Sequence, residues 1–318
     1  MEDFDAVVCG GGPAGLSAAL WLGRYRRKTL VVDAGNQRNL HAAASHGYLT
    51  FDACSPEDFL ARARADIDAY PEIHCLDATV ESVERDDDRF VIRSSTRSVR
   101  ASRLVIATGV ADALPEIPGF DRLFGKHIFH CSCCDGYETR DLDVLAIGWG
   151  EHTAGYALDL LEWGAQVTLV TNGNTFQGDA PHRDALKRHD IELIEDEVVE
   201  LVADEDRMTE AVLASGRRIP AQRAFFSIAH APRSDLAASL GCAIDDLGYV
   251  TVGEHGETTV EHVFAAGDIT PGEQLVSVAS AEGVITGIAC ALSLRGAKTA
   301  PGAPDPGPDP ATELSSEK

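Results

Sequence analysis

The stretch that decides the fold is residues 4–22, Phe-Asp-Ala-Val-Val-Cys-Gly-Gly-Gly-Pro-Ala-Gly-Leu-Ser-Ala-Ala-Leu-Trp-Leu. Its first part, Phe4 to Cys9, is a short apolar run typical of a buried strand. An apolar helical pattern begins at Leu16, and the turn between the two is formed by Gly10, Gly11, Gly12, Pro13, Ala14 and Gly15. Such a turn lets backbone approach a pyrophosphate that rests on the helix N-terminus.

A second apolar strand, Thr29 to Val32, ends in Asp33, which lies 18 residues beyond Gly15. At that distance a carboxylate would hold the ribose hydroxyls of a dinucleotide. Strand, glycine turn, helix and acid together are more specific than the glycines alone, and they predict a dinucleotide-binding fold. The alternative is a glycine-rich turn in a parallel sheet that binds nothing.

The same plan repeats along the chain and predicts an α/β fold. A second strand, turn and helix are expected at Asp143 to Ile147, Gly148-Trp149-Gly150 and Thr153 to Trp163. The other expected elements are strands at residues 78–83, 89–93, 103–109, 166–171 and 263–268 and a helix at residues 273–294. The last 22 residues, from Ala297, are rich in Pro, Gly, Asp and Ser and predict a disordered tail at residues 297–318.

Composition excludes several classes of partner. The net charge of -24 argues against binding to nucleic acid or to an anionic membrane surface. No run of 18 apolar residues occurs, and the N-terminus enters a strand pattern without the charged and apolar regions of a secretory signal. We therefore expect a cytoplasmic protein.

Eight cysteines in 318 residues are too few for a disulfide scaffold. Cys9, Cys75 and Cys290 lie in apolar contexts, where a free thiol packs as a small hydrophobe. Redox spacing occurs in His130-Cys131-Ser132-Cys133-Cys134-Asp135-Gly136-Tyr137. A zinc site is the alternative for this segment, with His127, His130, Cys131, Cys133 and Cys134 as ligands, but no metal is expected because the surrounding motifs already explain the cysteine pair.

Four motifs together resemble the low-molecular-weight thioredoxin reductase family. They are Gly10-x-Gly12-x-x-Gly15, Ala107-Thr108-Gly109, Cys131-x-x-Cys134-Asp135-Gly136 and Ala265-Ala266-Gly267-Asp268, and the resemblance covers about residues 3 to 295. It implies a homodimer of chains with two Rossmann-like three-layer ββα domains, the second inserted in the first. The FAD domain would comprise residues 1–112 and 243–296, and the C-x-x-C domain residues 113–242.

The resemblance implies FAD as the cofactor. Asp33 would bind the adenosine ribose, Val80 would lie near the adenine, Asp268 would bind the ribitol, and the helix start at Gln274, Leu275 and Val276 would lie near the isoalloxazine. The other residues expected to bind FAD are those of the glycine turn, Ala34, Asn39, His46, Thr108, Gly109 and Gly267. Residues 33–39 and 45–49 look more like a branch of dithiol oxidases and related proteins, in which His46 would lie near the flavin edge or serve in helix capping or packing.

By the family pattern, the two cysteines have different roles. Cys134 would face the flavin, Cys131 would exchange with the substrate, and Asp135 would be the acid or base for the thiol protons. Cys133 has no counterpart in the pattern and would be either a spectator or a resolving thiol.

The second nucleotide fold departs from the family. Where the family has G-x-G-x-x-A, this chain has Gly148-Trp149-Gly150-Glu151-His152-Thr153, which puts a bulky ring and a carboxylate where a pyrophosphate needs bare backbone. Where the family has a basic run for the 2′-phosphate of NADPH, this chain has Thr171-Asn172-Gly173. We therefore predict loss of NADPH and NADH binding; the alternative is a divergent site that still works.

The sequence thus predicts an FAD-dependent thiol-disulfide oxidoreductase that exchanges electrons between the flavin and Cys131–Cys134 without NADPH. The donor would be ferredoxin or another carrier, and the partner a thioredoxin-like protein or a small dithiol or disulfide. One alternative is a dithiol oxidase that passes electrons to O2, although Asp135, where that branch usually has His, favours a reductase. An alternative of another class is a non-catalytic redox sensor.

Overall fold

The computed structural model describes residues 1–227 and 230–295. These residues belong to two compact units, and each unit is assembled from separate parts of the chain. Unit 1 comprises residues 1–38, 57–111 and 231 onward, and unit 2 comprises residues 39–56 and 112–230. The tail predicted at residues 297–318 lies outside the described residues.

The strands and helices are numbered in chain order. The strands are β1 (Glu2–Cys9), β2 (Thr29–Asp33), β3 (Ile73–Asp77), β4 (Val80–Asp86), β5 (Arg89–Ser94), β6 (Ser98–Ile106), β7 (Val110–Asp112), β8 (Ile128–Phe129), β9 (Asp143–Ile147), β10 (Gln166–Val170), β11 (Glu192–Ile194), β12 (Val198–Asp204), β13 (Arg207–Leu213), β14 (Arg218–Pro220), β15 (Arg223–Phe226), β16 (His230–Pro232) and β17 (Val263–Ala265). The helices are α1 (Pro13–Arg24), α2 (Pro56–Asp68), α3 (Phe120–Leu123), α4 (Ser132–Asp135), α5 (His152–Asp159), α6 (Ala180–Arg188), α7 (Asp235–Ser239) and α8 (Val276–Leu292). Among the described residues, no helix is both long and apolar enough to cross a membrane.

Unit 1 is built on a seven-stranded mixed sheet. Its strand order is β3-β2-β1-β6-β5-β4, with β17 also paired to β6. The pairs β1–β2, β1–β6 and β6–β17 are parallel, whereas β4, β5 and β6 form an antiparallel meander. Strand β1 from Phe4 onward and strand β2 are buried on both faces, as their continuous apolar runs predict.

Helices α1 and α8 pack against one face of this sheet. Leu16, Leu22, Val105 and Cys290 belong to one buried cluster there. The predicted helix at residues 273–294 begins only at Val276, because Leu275 has the extended angles φ -115° and ψ 145°. The predicted helix at residues 153–163 likewise ends as α5 at Asp159 and continues as a 3₁₀ turn to Glu162.

Unit 2 contains a five-stranded parallel sheet in the order β11-β10-β9-β15-β8. A separate antiparallel sheet, β12-β13-β14, packs its apolar side chains into the same core. Helices α5 and α6 cover the opposite face, where Ala157, Leu160 and Leu186 are buried with Phe225. The β12-β13-β14 sheet was not predicted from the sequence.

The division into units differs from the predicted domain boundaries in two places. Residues 39–56 group with unit 2, where the Ala43 N–H donates to the Gly125 carbonyl at 3.0 Å. Residues 231–242 group with unit 1, because Ala237 and Cys242 lie in the unit 1 core. Both segments make their contacts with residues distant in sequence, which no local pattern encodes.

The prediction that Cys75 is buried is wrong. Cys9 and Cys290 are buried thiols, but Cys75 is exposed. The cause is its position on β3, which is the edge strand of the unit 1 sheet. An apolar sequence context does not distinguish an edge strand from a central one.

Candidate functional site

The glycine turn of unit 1 closes tightly on itself and leaves one side bare. A Cβ on Gly15 would lie 1.9 Å from the Gly10 carbonyl oxygen, and a Cβ on Gly10 would lie 2.2 Å from the Ala107 carbonyl oxygen. A Cβ on Gly12 would be 3.9 Å from Gln37 Cγ, so there is open space beside this glycine. No side chain caps α1, and its first turn carries no acidic residue. This arrangement fits the pyrophosphate of FAD, which would meet bare backbone at a helix N-terminus.

Asp33 lies at the end of β2 beside this turn and is 7% exposed. Its carboxylate accepts hydrogen bonds from Gln37 Nε2 at 2.9 Å and 3.0 Å, from the Gly35 N–H at 3.1 Å, and from the Arg64 guanidinium. Gln37 also donates to the Gly11 carbonyl at 3.3 Å. The predicted ribose ligand is therefore held in place by a loop residue and by a residue of α2.

Asp268 and Gln274, two of the predicted FAD residues, are brought together by Arg38. The Arg38 guanidinium donates to Gln274 Oε1 and lies 3.9 Å from Asp268 Oδ2. Gln274 Nε2 donates in turn to the Tyr249 hydroxyl at 3.0 Å. A charged and polar cluster thus stands at the chain segment that precedes α8.

The remaining predicted FAD residues of unit 1 lie at strand ends or at the start of α8. The Thr108 hydroxyl donates to the Arg233 carbonyl at 2.8 Å, and the Gly267 N–H donates to Glu282 Oε2 at 2.7 Å. Val80 is the first residue of β4 and is half-buried against the unit 1 core. Ala34 is exposed, a Cβ on Gly109 would meet no atom within 4 Å, and Leu275 and Val276 are the N-cap and first residue of α8.

In unit 2, Cys131 and Cys134 form a disulfide with their Cα atoms 5.2 Å apart. Cys131 is the N-cap of the short helix α4, and its Sγ accepts from the Cys134 N–H at 3.1 Å. Cys133 lies on the same turn as an exposed free thiol.

Asp135 ends α4 and is half-buried. Burial raises the pKa of its carboxyl to about 7, the imidazole of His46 opposes that rise, and the carboxylate of Glu138 adds to it. Burial also raises the pKa of Tyr156, with Asp135 and Cys133 acting in the same direction. The protonated Tyr156 hydroxyl donates to the His130 carbonyl at 3.0 Å. The disulfide therefore stands next to an acid that titrates near neutral pH.

His46 and Asn39 lie in unit 2 rather than with the glycine turn. His46 Nδ1 is 3.7 Å from Glu138 Oε1 and 3.7 Å from Asp52 Oδ1. Asn39 Nδ2 donates to the Ser45 hydroxyl at 3.3 Å. Their predicted roles in FAD binding stay predictions, but the structure groups His46 with the disulfide segment.

The imidazole of His152, the first residue of α5, partly fills the turn that opens the second nucleotide fold. A Cβ on Gly150 would lie 2.6 Å from His152 Cε1, so the imidazole covers this glycine. His152 Nε2 is 2.8 Å from the Ser227 hydroxyl oxygen, which fixes the ring in that position. Trp149 projects from the same turn and is 36% exposed.

The segment after β10 adjoins two acidic residues that precede β12, Asp196 and Glu197. The Gly173 N–H donates to the Asp196 carbonyl at 2.8 Å, and Asn172 Oδ1 accepts from the Val198 N–H at 3.2 Å. A Cβ on Gly173 would lie 3.3 Å from Glu197 Cβ, so this carboxylate-bearing side chain adjoins the turn. A 2′-phosphate placed here would meet negative charge.

Across residues 1–227 and 230–295, no group of three or more His, Cys, Asp or Glu side chains could hold a metal ion. Two of the zinc ligands considered above, Cys131 and Cys134, are joined in the disulfide. A third, His127, accepts from the Arg223 guanidinium through Nδ1 at 2.7 Å.

Comparison with known proteins decides the family. The profile described as pyridine nucleotide-disulphide oxidoreductase matches residues 4–283, which is most of the chain. The chain belongs to this family. The predicted family and the α/β fold are therefore confirmed.

Relatives named thioredoxin reductase occur in fungi. Thioredoxin reductase sirT of Leptosphaeria maculans is 30% identical over 319 residues, which cover 93% of this chain and 96% of sirT. Thioredoxin reductase tcpT of Claviceps purpurea is 37% identical over 182 residues, which cover 54% of this chain and 56% of tcpT. Two of the curated relatives are thus matched over about half of their own length, 44% and 56%.

A solved structure extends the similarity to three dimensions. The crystal structure of an oxidoreductase from Agrobacterium tumefaciens superposes with a TM-score of 0.84 and 34% identity, covering 92% of this chain and 99% of the other. Pyridine nucleotide-disulphide oxidoreductases bind FAD, and the bare glycine turn of unit 1 fits that cofactor.

Sequence reasoning missed several residues of this oxidoreductase that adjoin predicted site residues. Arg64 and Gln37 bind Asp33, Arg38 joins Asp268 to Gln274, and Glu138 faces His46. Arg38 and Gln37 could have been suspected, because they lie within the segment after β2. Arg64 gave no local signal, since its partner lies 31 residues away.

Proposed function

We propose that this chain is an FAD-dependent thiol-disulfide oxidoreductase that exchanges electron pairs between the flavin and the Cys131–Cys134 disulfide without a nicotinamide cofactor. The observation that carries the proposal is the disulfide at the start of α4 beside Asp135, whose pKa is about 7. A group that titrates near neutral pH can both accept and return a thiol proton.

The exchange with a partner dithiol proceeds in two displacements. A partner thiolate attacks Cys131 Sγ, the Cys131–Cys134 bond breaks, and a mixed disulfide forms. The second thiol of the partner then attacks the partner sulfur that is bonded to Cys131 Sγ. This bond breaks, and the partner leaves as a disulfide. Two electrons remain in the Cys131–Cys134 dithiol, and the two partner protons pass to the cysteine sulfurs, Asp135 or solvent. FAD, when bound, would supply a two-electron acceptor for this dithiol.

The same steps in reverse reduce a partner disulfide, and two electrons and two protons are then consumed. His152 over Gly150 and Glu197 beside Gly173 both disfavour a nicotinamide dinucleotide as the source of these electrons. A carrier such as ferredoxin is the proposed donor, with two one-electron carriers for each disulfide reduced. The names of the relatives favour a thioredoxin-like protein as the partner, and the resemblance favours a homodimer.

A second candidate is a dithiol oxidase that passes the electrons of a small dithiol to O2. The observation that favours it is the position of residues 45–49, which carry part of the resemblance to that branch and belong to a loop of residues 45–54. His46 Nδ1, on this loop, lies 3.7 Å from Glu138 Oε1. An antiparallel backbone β-bridge between Ser45 and Cys54 closes the loop. Apolar Leu49 is 87% exposed at its tip and would suit a small organic dithiol better than water.

Turnover tests the proposal. The purified yellow protein would be given excess dithiothreitol in air, and oxidised dithiothreitol would be counted per flavin. We expect many turnovers in the wild type and none in Cys134→Ser, which should retain FAD because Cys134 lies outside unit 1. A single equivalent per flavin would instead indicate a redox sensor, and turnover by Cys134→Ser would overturn the assigned role. A colourless protein that takes up no FAD would overturn the flavin claim.

A further inference from the structure

The groups around Asp135 carry charges of opposite sign. His46, on the loop of residues 45–54, lowers the pKa of Asp135, and Glu138, on the 3₁₀ turn Tyr137–Thr139 that follows α4, raises it. Their side chains also face each other, with His46 Nδ1 3.7 Å from Glu138 Oε1. Glu138 Oε2 is buried and has no hydrogen-bond partner among the described residues.

Two further elements complete these surroundings. Tyr156 of α5 is one of them, because Asp135 and Cys133 of α4 both raise the pKa of its hydroxyl. Asp52 Oδ1 lies 3.7 Å from His46 Nδ1, and the Asp52 side chain is exposed. The pKa of Asp135 is thus lowered by His46 and raised by Glu138, and neither residue is a cysteine of the disulfide.

We propose that His46 and Glu138 are positioning residues of opposite effect, which together set the pH at which Asp135 exchanges protons with the redox-active dithiol. This inference rests on the proposed function and deepens it. His46 favours the Asp135 carboxylate, and Glu138 disfavours it by like charge. Burying the Glu138 carboxylate with one oxygen unpaired costs free energy. An effect of this charge on the proton affinity of Asp135 gives a reason for keeping it.

The test is a comparison of apparent pKa values in variants that keep side-chain shape. The rate of flavin reduction at saturating dithiothreitol would be measured anaerobically from pH 5 to pH 9, so that the internal step rather than thiol attack is observed. His46→Gln should raise the apparent pKa of this profile and Glu138→Gln should lower it, each by on the order of half a pH unit because solvent partly screens these charges. The double variant should return close to the wild-type value.

Matched controls remove the same charges elsewhere in unit 2. His189→Gln and Glu162→Gln alter exposed residues of that unit and should leave the profile unchanged. A readout that needs no turnover is the carboxyl ¹³C shift of Asp135, identified by its loss in Asp135→Asn. Its titration should move in the same opposite directions in the two variants.

The outcomes separate this inference from the function on which it rests. Wild-type flavin that dithiothreitol fails to reduce would overturn both. A wild-type profile that both variants reproduce, or that both shift in the same direction, would overturn the inference alone. Opposite shifts that cancel in the double variant would support it, because a merely structural role of either residue gives no reason for cancellation.

Discussion

The imidazole of His152 lies directly over Gly150, with Cε1 2.6 Å from the position that a Cβ would take, and it is held there by Ser227 at 2.8 Å. In a working dinucleotide turn this space belongs to the pyrophosphate. The imidazole therefore occupies part of the space over the turn that opens the second nucleotide fold.

We predict that NADPH does not bind measurably at millimolar concentration. Trp149 lies in the turn, so its fluorescence is a natural reporter of binding. The variant His152→Ala combined with Glu197→Arg should bind NADPH measurably, at least about tenfold more tightly than the upper limit set by the wild type, which corresponds to about 1.4 kcal/mol. Tight binding by the wild type would show that the divergent site still works.

Asp135 should govern the rate of the thiol chemistry. Asp135→Asn removes the proton carrier but keeps the shape, and we expect flavin reduction by dithiothreitol to slow by about 10²-fold. Rapid-mixing absorbance of the flavin measures this directly. Asp141→Asn, an exposed change in the same unit, is the control and should react at the wild-type rate. An Asp135→Asn variant as fast as the control would show that solvent handles the thiol protons.

The raised pKa of Asp135 also predicts how stability depends on pH. The folded carboxyl, with a pKa of about 7, holds its proton more tightly than the unfolded one, whose value is 3.8. Stability from this group is therefore present below about pH 4 and is lost as the pH rises through 7. Asp135→Asn should raise Tm by a few degrees at pH 8 and leave it unchanged near pH 4, as measured by calorimetry. An equal effect at both pH values would exclude this linkage.

Cys133 should be dispensable for turnover. Its thiol is exposed, whereas its neighbours Cys131 and Cys134 form the disulfide. We expect Cys133→Ser to retain the wild-type rate of dithiothreitol oxidation and Cys131→Ser to lose it. A loss in Cys133→Ser comparable to that in Cys131→Ser would assign Cys133 the role of a resolving thiol.

Arg38 should hold the FAD. Its guanidinium is 13% exposed and links Gln274 to Asp268, so Arg38→Ala leaves both groups without this partner. We expect FAD to dissociate about 10-fold to 100-fold more readily, as a charged hydrogen bond of about 1.5–3 kcal/mol would imply. Arg26→Ala, at an exposed site in the same unit, is the control for flavin release during dialysis. Equal flavin retention in the two variants would contradict this role.

The sequence predicted those parts of the fold that depend on local pattern. The strand, turn and helix from Phe4 to Leu22 lie within β1, the glycine turn and α1, and Asp143 to Ile147 is β9. It did not predict that Arg64 of helix α2 pairs with Asp33, because side-chain pairing across 31 residues leaves no periodic signal. It also did not predict the contact between His46 and Glu138, for the same reason. The exposure of Cys75 depends on strand order, which the local pattern does not contain.

The most direct test of the central claim is anaerobic flavin absorbance near 450 nm after separate additions of NADPH, NADH and dithiothreitol. Thiolate attack on the Cys131–Cys134 disulfide should deliver electrons to the flavin whichever donor is native. The account predicts bleaching by dithiothreitol, recovery on admitting an electron acceptor, and no rapid change with either nicotinamide. Rapid bleaching by NADPH would contradict it and would identify an ordinary nicotinamide-dependent reductase.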